Sequence, residues 1–114
     1  MFYYHVSPKK FRKSINLNGI LPQNGERAKR FGHQQSSVFF TKTIHHAYDL
    51  TNILMFNTHP DFLNGVDIWR IYYSDDSNIC IDEKYQNGFY CFEKPIFQRL
   101  INSSKYPCFS KKAV

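Results

Sequence analysis

The sequence predicts an α+β domain on three observations: a strand-then-helix pattern that occurs twice in the first half, short β-prone runs separated by turn residues in the second, and too little chain for more than one core. At 114 residues the chain reads as a single domain over 1–114, burying roughly 65% of its unfolded surface. Eleven Phe, eight Tyr and one Trp make aromatic rings the main packing material, with enough left over to line a cleft.

The elements follow in order. Residues 2–6 form a strand in which His5 stands between apolar neighbours; Ser7 is the expected N-cap and Pro8 the expected first residue of a helix. In that helix Phe11 and Ile15 share a face, Lys9, Lys10, Arg12 and Lys13 point outward, and Gly19 supplies the stop. Residues 23–36 are polar and basic without periodicity, which marks an exposed loop carrying Arg27, Lys29 and Arg30. Ser37 to Thr41 is a second strand, and Thr43 caps a helix through Ala47, Leu50 and Leu54 that His59-Pro60 ends. Val66 to Tyr73 is the strongest strand signal and is expected at the centre of the sheet. A turn at Asp75 to Asn78, a short strand at Ile79 to Ile81, a turn at Gln86-Asn87-Gly88, a strand from Phe89 to Phe92 and a strand or helical turn over Pro95 to Ile101 complete the domain, followed by a basic tail.

Composition narrows the classes of function. A formal charge of +6 favours anionic partners such as nucleotides or nucleic acid. Cys80, Cys91 and Cys108 are odd in number and lack paired zinc spacing, so a reduced, cytoplasmic protein without a structural metal is expected. His45 and Asp49 lie four apart on one helical face, but no third ligand accompanies them. There is no apolar leader and no apolar run long enough to span a bilayer, so no membrane role is expected.

The residues with most chemical potential are concentrated at the ends of the first two strands. His5 at a strand end holds an imidazole on rigid backbone; it serves equally as a structural hydrogen-bonding group or as a ligand contact. Phe39 is either a core ring or a stacking platform, and Arg27 and Arg30 are either solvated charge or phosphate contacts.

Taken together, Tyr4-His5-Val6-Ser7-Pro8, then Ser37-Val38-Phe39-Phe40-Thr41 before the Ala47 helix, then Asn87-Gly88-Phe89-Tyr90-Cys91-Phe92 before Glu93-Lys94-Pro95-Ile96, resemble the ADP-ribosyltransferase superfamily over residues 3–101. The resemblance implies a split β-sheet with a few short helices clasping NAD as substrate. It implies that His5 holds the adenosine ribose, that Val6 and Ser7 hold the nicotinamide amide, that Phe39 stacks on nicotinamide, and that Arg27 or Arg30 meets phosphate. Where the family commonly carries a glutamate, this chain has Gln86, Asn87, Gly88 and Phe89, so Gln86 inherits the approach to the nicotinamide ribose without a charge. RNA 2′-phosphotransferases in the same superfamily also lack that glutamate. Glu93 lies well over 10 Å farther along the strand at a rise of roughly 3.3 Å per residue.

The expected function is mono-ADP-ribosylation of a protein or nucleic-acid acceptor, in the manner of a small phage or mobile-element effector. Two other functions fit the same residues: a non-catalytic module of this fold that binds NAD, an ADP-ribose-type nucleotide or a protein, and a basic aromatic domain that binds single-stranded nucleic acid.

Overall fold

The structure, a computed structural model, describes residues 1–23, 36–56, 60–62 and 64–101. Strand β1 (Phe2–Pro8) passes through a 3₁₀ turn (Lys9–Phe11) into helix α1 (Arg12–Asn18); β2 (Val38–Thr41) leads to α2 (Ile44–Phe56). After these come β3 (Val66–Tyr72), β4 (Cys80–Ile81), β5 (Gly88–Cys91) and β6 (Phe97–Leu100). The fold is α+β: a six-stranded antiparallel sheet in the order β4-β5-β2-β1-β3-β6, with a few short helices. No helix among the described residues is long and apolar enough to cross a membrane.

The strand period of two divides the residues between two cores. Tyr3, Phe40, Trp69, Ile71, Tyr73 and Cys91 face one side and close over Ile15 and Ile20 from α1 and the segment after it. Val6, Val66 and Ile68 face the other and close over Ala47 and Leu54 of α2 and over Phe62. Thr43 caps α2 as expected, its hydroxyl accepting from the His46 N–H at 3.2 Å. The end of α1 is sealed by Gln98 of β6, whose amide donates to the Ile15 carbonyl at 2.8 Å and accepts from the Ile20 N–H at 3.3 Å.

Several expectations need correction. Ser7 is not an N-cap and Pro8 does not open a helix: both belong to β1, and Pro8 is extended at φ −59°, ψ 139°. The Ser7 hydroxyl is drawn inward instead, where it accepts from the Trp69 indole N–H at 3.0 Å. Phe11 lies on the rim at 38% exposure, leaving Ile15 as the buried anchor of α1. β3 is an interior strand between β1 and β6, while β1 and β2 occupy the centre of the sheet. Its run of apolar residues reports burial on two faces, which is a matter of what covers the strand and not of its place in the sheet order. Within residues 95–101, Phe97–Leu100 forms the edge strand β6. Cys80 and Cys91 are free thiols, whereas Cys108, Arg27 and Arg30 lie outside the described residues.

Gly19 sits at φ 81°, ψ −179°, a region closed to side chains. Gly19→Ala is therefore expected to cost about 1–3 kcal/mol in urea unfolding. A second prediction concerns alkaline pH. Burial, reinforced by donation to Asp76 at 3.1 Å, pushes the Tyr3 phenol from 10.0 up to about 12. Burial also raises Tyr73, whose hydroxyl donates to the Glu93 carbonyl. Unfolded tyrosines ionise near pH 10 while these stay protonated in the fold, so stability is complete below about pH 10 and declines between pH 10 and 12. The melting temperature is expected to fall across that window, and Tyr3→Phe to make the fall shallower.

Candidate functional site

The site arises where the sheet opens. β1 pairs with β3 along its whole length, from Phe2↔Tyr72 to Pro8↔Val66, and every residue of β2 pairs with β5. Between β1 and β2 the paired position is Tyr4↔Thr41. Beyond it the two central strands part, each held by its outer neighbour, and a cleft of about 400 Å³ occupies the opening. Its walls are His5, Ser7 and Pro8 from β1, Val38 and Phe39 from β2 with Ser37 just before it, Ser14 and Ile15 of α1 with Gly19, Ile20 and Leu21 after it, and Asp61 with Phe62. That volume is in the range of small-molecule sites.

His5 spans the opening. Its Nδ1 lies 2.6 Å from the Phe39 carbonyl, and because a carbonyl only accepts, Nδ1 carries the hydrogen and Nε2 is the acceptor of the neutral ring. A side chain thus stands where a ladder hydrogen bond would otherwise join the strands, which fixes both the tautomer and the ring.

His5, Val6, Ser7 and Phe39 all border the cleft, each in a different way. Continuing the Tyr4↔Thr41 register places Val6 opposite Phe39, so the imidazole meets the Phe39 backbone. The Phe39 ring lies on the sheet face opposite Val38 and Phe40, tilted at 45° to Tyr90 with centroids 6.2 Å apart. Imidazole and ring therefore approach the opening from opposite faces of the sheet, and they share one cleft because the ladder between them is open. The Val6 side chain belongs to the α2 core, leaving its backbone for the cleft. Ser7 is 3% exposed, with its hydroxyl already holding Trp69.

Gln86 does not join them. It is exposed in the turn before β5, past the Gly88↔Thr41 pair and so toward the far end of β2. Glu93 is also outside the lining; its carboxylate accepts from Asn78 at 3.4 Å. Among the described residues Asp61 is the carboxylate that lines the cleft, at the rim, paired with Lys10. Sequence reasoning missed it because Pro60 reads as a helix breaker, whereas Pro60–Phe62 forms a 3₁₀ turn that folds back under β1. The available signal was Asp after Pro, an acidic residue in a first turn.

Deeper, Asp67 is buried on β3 and clamped by Arg12, which donates from Nε at 2.9 Å and from Nη2 at 2.6 Å. The hydrogen bonds to Asp67 raise the Arg12 guanidinium above its usual range. This fork ties the start of α1, and with it one cleft wall, to the sheet.

No family model, no curated protein and no solved structure matches this chain.

Ser7→Ala strands the Trp69 indole N–H in the core and is expected to cost about 1–3 kcal/mol in chemical denaturation. Adding Trp69→Phe to that variant removes the orphaned donor, so the double variant is expected to lose less than the sum of the two single changes.

Proposed function

We propose that the cleft binds NAD and that the chain is a small ADP-ribosyltransferase-like domain transferring ADP-ribose to a protein or nucleic-acid acceptor. The observation that carries this is His5, held at one tautomer across the opening between β1 and β2. The resemblance puts an NAD-holding histidine at that residue in a split sheet. In this assignment Nε2 accepts from a ribose hydroxyl, the backbone at Val6 and Ser7 meets the nicotinamide amide, and Phe39 borders the nicotinamide end.

Transfer breaks the bond between C1′ of the ribose and the nicotinamide nitrogen. Nicotinamide leaves neutral with the bonding electrons, positive charge develops at C1′, and the acceptor nucleophile bonds there and gives up its proton. A carboxylate stabilises that charge. Gln86 stands away from the cleft lining, so Asp61 is the group assigned to this part, with Lys10 holding its orientation.

Purified protein incubated with NAD labelled in the nicotinamide ring is expected to release nicotinamide. His5→Ala is expected to abolish the release, and Asp61→Asn to slow it on the order of 10²-fold. NAD labelled in the adenine, incubated with a cell lysate, identifies the acceptor by transferred label. The Lys10 contact, which engages the Asp61 carboxylate, favours a second reading: a non-catalytic binder of NAD or an ADP-ribose-type nucleotide. That reading predicts a rise in melting temperature with NAD, sensitive to His5→Ala, and no nicotinamide release.

A further inference from the structure

The α2 face of the sheet carries a second surface at the end away from the cleft. Register aligns Phe2↔Tyr72↔Phe97 across β1, β3 and β6, and Tyr4↔Arg70↔Arg99 in the row beside it. These partners point to the same face. α2 and its core cover Tyr4, Val6, Val66 and Ile68 but leave the outer rings of the Phe2 row open, Phe2 at 51% exposure and Phe97 at 45%, with Tyr72 half-buried between them. The Phe2 and Tyr72 rings are tilted with centroids 5.2 Å apart, and the Arg70 guanidinium lies 4.8 Å from the Phe2 ring centre.

Arg70 and Arg99 are directly opposed, a like-charge pair that destabilises a sheet. Among the described residues no carboxylate forms a salt bridge with either, and the Arg70 Nε is buried without a hydrogen-bond partner. An anion in front of the pair removes the repulsion. Exposed rings on adjacent strands offer faces on which successive bases stack, and neighbouring guanidinium groups meet the phosphates between them. The formal charge of +6 supplies long-range attraction to a polyanion.

We propose that Phe2, Tyr72 and Phe97, with Arg70 and Arg99, form a docking platform for single-stranded nucleic acid. The Phe2 row lies roughly 10 Å from the His5 edge of the cleft at about 3.3 Å per residue along β1, and the proposal does not rest on NAD chemistry there.

The test is fluorescence anisotropy of the full chain with labelled twelve-nucleotide oligothymidine and oligouridine at two salt concentrations, without NAD. Binding that weakens as salt rises is expected. Phe2→Ala and Phe97→Ala are each expected to reduce affinity about five- to hundredfold; both rings are exposed, and circular dichroism confirms that the variants fold. Arg99→Glu is expected to weaken binding and lower the logarithmic salt slope by about 0.7. Undiminished affinity in both ring variants, equal affinity for duplex of the same length, or displacement of the oligonucleotide by polyglutamate or anionic vesicles at lower concentration would each overturn the platform. Nicotinamide release, assayed on the same preparation, reports on the cleft separately.

Discussion

The architecture depends on the parting of β1 and β2 just past Tyr4↔Thr41. A central pair of strands that separates exposes backbone groups a sheet would normally satisfy, and the molecule meets that cost with local substitutes. The His5 Nδ1–H takes the Phe39 carbonyl, and Gln23 pairs with Ser37 in an isolated bridge at the mouth. Because β3 holds all of β1 and β5 holds all of β2, the opening is braced from both sides.

Polar groups buried near the opening fix how its walls meet. Trp69 on Ser7 joins β3 to β1, Arg12 on Asp67 joins α1 to β3, and Gln98 joins the end of α1 to β6. Each is a directional bond between elements that apolar packing alone would leave able to slide. Arg12 remains partly exposed, so its fork owes more to geometry than to Coulomb energy, while Asp67, almost wholly buried, depends on that fork to stay satisfied.

Much of the element order was legible in the chain. Thr43 before a helical apolar period, Gly19 after another, and Asn87-Gly88 between β-prone runs are local signals, decided within a few residues by capping and turn chemistry. What stayed hidden was non-local. Ser7 was misread because its partner is an indole sixty-two positions away, and a cap is the usual use of Ser before Pro. Asp61 reached the cleft through a short 3₁₀ turn with no periodicity to reveal it. His5 and Ser7 stand far from Phe39 in the chain, and their meeting at one opening follows from the pairing of β1 with β2. Which face carries the Phe39 ring depends on strand register, and the residues of β2 do not state that register on their own.

Trp69 is the sole indole of the chain, 1% exposed, and its N–H ends on a serine that forms part of the cleft wall. The molecule therefore carries a built-in optical reporter: any event that shifts Ser7 alters the polarity and hydrogen bonding felt by a single buried fluorophore. Emission colour and lifetime therefore report on the setting of that serine without an added label.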